Sequence, residues 1–145
     1  MFVLTHLSFA ILLAFWYKLP LLPLLLGSIL PDIDSSRTLI GRILNPISHF
    51  IYKRFAHRTI THSWIPLLLL LDLYLATREH FVLFFLIGYA SHIFLDMFNT
   101  SGVAFLYPKK LYFVLTDAQI ESFKKYDFLL CFIFTLLSWW LFLAG

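Results

Sequence analysis

Charged side chains are scarce in this sequence: Asp, Glu, Lys and Arg together make up 13% of its 145 positions. A soluble domain of this size carries about 25%, so too few charges are present to build a water-facing surface. Cysteine is nearly absent too. The single Cys131 excludes an intrachain disulfide and says nothing about redox compartment. No Ser/Gly-rich linker, repeat or low-complexity run divides the chain, which fits a single integral membrane domain over 1–145. The N-terminus lacks a basic leader, and no small-x-small cleavage site follows its apolar stretch. It therefore reads as a retained membrane segment and not as a signal peptide.

Apolar residues fill the space, at 61% of the chain and a mean hydropathy of +0.85. Five apolar stretches stand out, at residues 2–17, 19–31, 64–77, 81–105 and 128–144. Crossing a hydrocarbon core of about 30 Å takes about 20 helical residues at ~1.5 Å each. The fourth and fifth stretches meet or approach that length. The second and third are short, with Pro20 and Pro23 at the entry to the second. The expected fold is all-α, a polytopic transmembrane helical bundle of about five membrane segments plus an interfacial amphipathic helix. Three spans with re-entrant segments is the rival. The interfacial helix is read from Ile40, Ile43, Leu44, Ile47, Phe50, Ile51 and Phe55 at helical spacing, with Arg42, Lys53 and Arg54 beside the stripe. Pro46 kinks or interrupts it.

Alternating five spans puts Arg37, Arg42, Lys53, Arg54, Arg58, Lys109, Lys110, Lys124 and Lys125 on one side, against Lys18 and Arg78 on the other. The positive-inside rule makes the first side cytoplasmic, with the N-terminus inside and the C-terminus outside. These cations are explained by topology and anionic headgroups, so nucleic-acid binding has no support. Membrane lipid is the expected partner, possible substrate included, and nothing in the sequence fixes an oligomeric state.

On this map the histidines and carboxylates gather at one face. His6 opens the first stretch, and Asp32 and Asp34 follow the second. His57 and His62 precede the third, and His92 and Asp96 close the fourth. Gly88, His92 and Asp96 are spaced i, i+4, i+8 and stack along one helix face, with Asn99 continuing it if the helix persists. Gly88 allows a neighbouring helix to approach closely. An ionised Asp at membrane depth is costly unless paired, and a divalent cation supplies the missing charge. Imidazole and carboxylate together suit zinc first, with manganese or iron as alternatives. A short second helix would leave Asp32 and Asp34 recessed below the surface. Blander readings exist for each residue: helix–helix hydrogen bonding for His6, a mutual bond for His92 and Asp96, helix capping for the two early aspartates. Joint placement favours the metal. His49 and His80 fall outside it. Asp72, inside the third stretch, is expected to pair with Lys18 or Arg78, or to support the site from beneath. Thr61, Ser63 and Asn99 are candidates to support the ligands.

With these residues in view, the sequence resembles the YdjM-like family of membrane-bound predicted metal-dependent hydrolases over nearly its whole length. The resemblance rests on Thr5-His6, Gly27-Ser28, Pro31-Asp32-Ile33-Asp34, His57-Arg58, Thr61-His62-Ser63, Gly88-Tyr89-Ala90-Ser91-His92 and Asp96, in that order. Thr100-Ser101-Gly102-Val103 and Tyr107-Pro108 continue it. Thr59 departs from the pattern, where glycine is expected after the His-Arg pair, and the chain is compact for the family. More distantly, the order of His and Asp is similar to zinc-dependent phospholipase C, an all-helical enzyme with clustered metals, which points toward phosphoesters.

The resemblance implies metal-dependent hydrolysis, the placement of the residues puts it at the cytoplasmic face, and the more distant similarity to phospholipase C implies a phosphoester of a lipid or amphiphile as substrate. One or more divalent ions are expected on Asp32, His62, His92 and Asp96, with His6, His57 and Asp34 completing the set. So many ligands favour a multinuclear site. Asp34 is the expected general base if it is not a ligand, and Arg58 is expected to hold a phosphate oxygen. The alternatives are a non-enzymatic metal-binding or metal-transporting membrane protein, a structural polar cluster, and an intramembrane protease.

Overall fold

The computed structural model describes residues 3–99, 102–109 and 123–144, the last beginning without side-chain detail over 123–125. Its described regular structure is helical, as expected. Helix α1 spans Val3–Tyr17, α2 Leu21–Ile29, α3 Leu39–Ile43, α4 Asn45–Phe55, α5 Trp64–Thr77, α6 His80–Asp96 and α7 Phe123–Ala144. Single 3-10 turns at Leu30–Asp34 and Ile60–His62 lead out of α2 and into α5.

Five full spans are not supported. Among the described residues one segment, Tyr126–Ala144 within α7, is long and apolar enough to cross a membrane. The apolar helices α1, α5 and α6 have 15, 14 and 17 residues. They reach about 21–26 Å at ~1.5 Å per residue, short of a ~30 Å core. The nine residues of α2 reach only about 13 Å. The largest departure is in the fourth stretch, where apolar character runs on to residue 105 but the helix stops at Asp96. Hydropathy cannot see that stop. Asn99 and Gly102 turn the chain: the Gly102 N–H donates to the Asn99 carbonyl at 2.8 Å, and Gly102 takes a positive φ of 59°. The strand-like residues that follow fold back instead of continuing outward. Ala104 N–H donates to the Arg58 carbonyl at 3.1 Å, and Trp64 N–H to the Phe105 carbonyl at 3.1 Å.

The expected interfacial helix is two helices. Thr38 caps α3 by accepting the Gly41 N–H at 3.2 Å. The backbone breaks at Leu44 (φ −103°, ψ 38°), and Asn45 and Pro46 begin α4. Ser63 caps α5 by accepting the Ile65 N–H at 3.2 Å.

Packing follows from two glycines. A Cβ on Gly27 of α2 would overlap the Phe85 carbonyl of α6, and one on Gly88 of α6 would overlap the Leu24 carbonyl of α2. The two backbones therefore touch, as a small-residue interface between membrane helices permits. Helix α1 packs on α2 and α7, and α5 packs on α6. The interior is the reverse of a soluble core. His6, His62, His92, Asp34 and Asp96 are among its most deeply buried side chains, while Leu22, Leu69, Phe128, Phe132, Trp139 and Trp140 face outward.

Candidate metal centre

Each ligand-type side chain is placed by the end of an element. His6 lies in the first turns of α1, and His92 and Asp96 in the last turns of α6. Asp32 and Asp34 lie in the 3-10 turn that ends α2, and His57 and His62 flank the approach to α5. All seven predicted ligands are thereby brought to one end of the bundle, and their roles separate there.

Five of them converge. Among the described residues, ligand atoms of His6, His92 and Asp96 lie within 4.8 Å of one another, and so do those of Asp32, His62 and His92. His62 Nε2 stands 3.4 Å from Asp96 Oδ2, and His92 Nε2 stands 3.8 Å from the same oxygen and 3.7 Å from Asp32 Oδ1. His6 Nε2 is 3.5 Å from Asp96 Oδ1, and its ring stacks on His92 with centroids 3.8 Å apart. These separations exceed the 2.7–3.2 Å of ordinary N–H···O bonds.

The other two, Asp34 and His57, stand beside this set and not within it. Asp34 Oδ1 is 2.6 Å from His57 Nδ1. Its Oδ2 accepts the Arg58 N–H at 2.8 Å and the Thr61 hydroxyl at 2.6 Å, and lies 3.3 Å from His62 Nδ1. So occupied, Asp34 orients the imidazoles and is poorly placed to be a ligand itself. The Arg58 guanidinium meets Asp96 Oδ2 at 3.0 Å. Its backbone holds a positive φ of 59°, a left-handed conformation supported on both sides by the Asp34 and Ala104 bonds. The Thr59 hydroxyl donates to the Phe55 and Ala56 carbonyls, which closes the turn where the family pattern led us to expect glycine.

Electrostatics follow the same division. Burial pushes the Asp32 carboxyl above its ordinary value, partly offset by His62 and His6. Burial opposes charge on Asp34 as well, but the hydrogen bonds from His57 and His62 outweigh it and hold that carboxyl well below the usual range. Burial likewise opposes charge on His62, yet the Asp34 and Asp96 carboxylates beside it push it up to about 9. A positive charge is therefore welcome at the point where His62 meets the two carboxylates.

The residues fit a divalent cation. His92 Nδ1 lies 2.6 Å from the Ser28 carbonyl, which can only accept, so Nδ1 carries the proton and Nε2 carries the lone pair. That Nε2, and the Nε2 of His62, are buried with no hydrogen-bond partner among the described residues. Buried nitrogens are seldom left so. An imidazole oriented through one nitrogen with the other facing carboxylates is the usual arrangement of a histidine ligand.

Of the candidate supporting groups, Thr61 is in place, and the Tyr89 hydroxyl donates to its carbonyl at 2.7 Å. Ser63 serves as a helix cap. Asn99 lies past the end of α6, in the turn. Asp72 is exposed on α5, away from the cluster, and forms no ion pair among the described residues. Sequence reasoning missed the Ser28 carbonyl, because a main-chain acceptor leaves no mark in the residue type. It also missed Asp127 of α7, buried where Thr5 donates to it at 2.5 Å. A lone carboxylate at the head of a long apolar run was the available signal. Thr100, Ser101 and Lys110 lie outside the described residues, as do the side chains of Lys124 and Lys125.

Fold and site together define an all-helical membrane protein whose buried histidines and aspartates could hold a metal ion. The chain belongs to the YdjM inner membrane protein family, whose model matches residues 1–144. It is 30% identical over 133 residues to inner membrane protein YdjM of Escherichia coli K12, covering 87% of this chain and 67% of that protein. It is also 32% identical over 90 residues to the uncharacterized protein YvsG of Bacillus subtilis 168, covering 59% of this chain and 54% of the relative. No solved structure matches the chain. The more distant likeness to phospholipase C gains no support from these comparisons.

Proposed function

We propose that this protein is a membrane-bound metal-dependent hydrolase that acts on a phosphoester of a lipid or amphiphile at the cytoplasmic face. The observation that carries the reading is the pair of buried, unbonded Nε2 atoms of His62 and His92, both facing carboxylates. Asp32, His62, His92 and Asp96 would hold the ion, with His6 beside them, and zinc suits this donor set best. A divalent cation bound there supplies Lewis-acid activation of water and neutralises negative charge on a phosphoryl group.

The chain's own residues provide the rest. Asp34 holds His57 by a 2.6 Å contact, and the His57 side chain is 36% exposed, by far the most accessible of the cluster. The proton-transfer role anticipated for Asp34 therefore passes to His57, an imidazole oriented by a carboxylate at the mouth of the site. The Arg58 side chain retains 12% exposure while its guanidinium stays on Asp96, and a guanidinium carries donors enough to meet a phosphate oxygen as well. Val103 and Ala104 are fully buried where the chain folds back, and the Ala104 N–H steadies the Arg58 backbone from its carbonyl side.

Topology supports the cytoplasmic assignment. Arg37, Arg42, Lys53, Arg54 and Lys109 are exposed on segments at the site's end of the bundle, and Lys18 and Arg78 at the other. A transporter would need ligands distributed across the bilayer, and these gather at one end. The test is headgroup release from liposomes of mixed phosphatidylglycerol and phosphatidylethanolamine carrying the metal-loaded protein. Release is expected to stop with a chelator and in Asp96→Asn. Equal release from that variant contradicts the reading.

A further inference from the structure

We infer that the cluster holds one divalent ion per chain and not a pair, an inference that rests on the metal-centre reading above. Seven ligand-type side chains at one end of a bundle suggest two ions. The geometry reduces that number.

Asp34 and His57 drop out first. Both Asp34 oxygens already serve His57, Arg58 N–H, the Thr61 hydroxyl and His62. The remaining five side chains form two triads among the described residues, and both triads contain His92. An imidazole nitrogen offers a single lone pair in the plane of the ring. His92 Nδ1 donates to the Ser28 carbonyl at 2.6 Å, so Nε2 is the one nitrogen left to bind. It cannot serve two cations. Without His92 the triads shrink to His6 with Asp96 and to Asp32 with His62. Two protein ligands fall short of the three that zinc sites keep even when catalytic.

Asp96 ties the triads into a single pocket. Its Oδ1 faces His6 at 3.5 Å, and its Oδ2 faces His62 at 3.4 Å and His92 at 3.8 Å.

The test is a titration of detergent-purified protein with Mn²⁺, read by elemental analysis after gel filtration and by electron paramagnetic resonance. Binding should saturate at one ion per chain with the spectrum of an isolated Mn²⁺ centre. His6→Ala should saturate at the same single ion, because Asp32, His62, His92 and Asp96 remain. Two ions per chain, or an exchange-coupled spectrum, overturns the single-ion inference and leaves the metal-centre reading standing. No bound ion, with Mn²⁺ and with Zn²⁺ alike, overturns both.

Discussion

The Nδ1–H of His92 donates to the main-chain carbonyl of Ser28 at 2.6 Å, joining the last turns of α6 to the last turn of α2. This bond sets the tautomer of His92 and aims its other nitrogen at Asp32 and Asp96. Because the acceptor is backbone, the serine side chain contributes nothing to it; its hydroxyl donates to the Leu25 carbonyl instead. Ser28→Ala should therefore keep full metal content and lose at most about 1 kcal/mol of stability. Metal analysis and thermal unfolding of the variant check this. Loss of the ion would mean that the hydroxyl, and not the carbonyl, organises His92.

Gly88 permits that bond to form. A Cβ at this position would overlap the Leu24 carbonyl, with no flexible side chain in the way to yield. Gly88→Val should push α6 off α2, separate His92 from Asp32, and destabilise the protein by about 1–3 kcal/mol through overpacking. Metal affinity should fall with stability, as read by chelator competition. A variant with wild-type affinity would show that the close approach is not what positions His92.

Asp34 and Asp96 carry the same side chain but different duties, and asparagine at each should separate them. Asp34→Asn should weaken metal binding by about 10–100-fold, as loss of a group that orients ligands does, without changing the stoichiometry. Asp96→Asn should abolish binding at micromolar metal. Isothermal titration of both variants distinguishes them. Identical behaviour would place Asp34 among the direct ligands.

Helix α7 is fastened to the site's end of α1 through Thr5 and Asp127, next to His6. Thr5→Val removes a donor from a buried carboxylate and should cost about 1–3 kcal/mol. The loss should appear in the denaturation midpoint in detergent, with metal stoichiometry unchanged. An unaltered midpoint would show that the Thr5 hydroxyl does not fasten α7.

Much of this site was legible in the sequence because its residue types are out of place there. A histidine and an aspartate four residues apart in an apolar helix, such as His92 and Asp96, advertise a shared face through helical periodicity alone. Gly88, one turn earlier, advertises the close helix partner in the same way. Pro46 likewise marked the break between α3 and α4. The end of α6 was not legible in hydropathy, because Val103, Ala104 and Phe105 resume the apolar character beyond Asn99, whereas the stop lies in local hydrogen bonding such as that of the Gly102 N–H to the Asn99 carbonyl. Nor could spacing separate ligands from the groups that orient them. Asp32 and Asp34 lie two residues apart in one 3-10 turn, and only their partners show that the first faces His92 while the second holds His57, His62 and Thr61. The shortness of the second stretch was legible, and α2 ends after nine residues.

The most direct test of the metal centre is the metal content of detergent-purified protein beside His92→Ala, by elemental analysis with both proteins shown monodisperse. The account predicts stoichiometric zinc, manganese or iron in the first and its loss in the second. Equal metal in both, or none in either after reconstitution with each ion, would contradict it and leave a hydrogen-bonded polar cluster in its place.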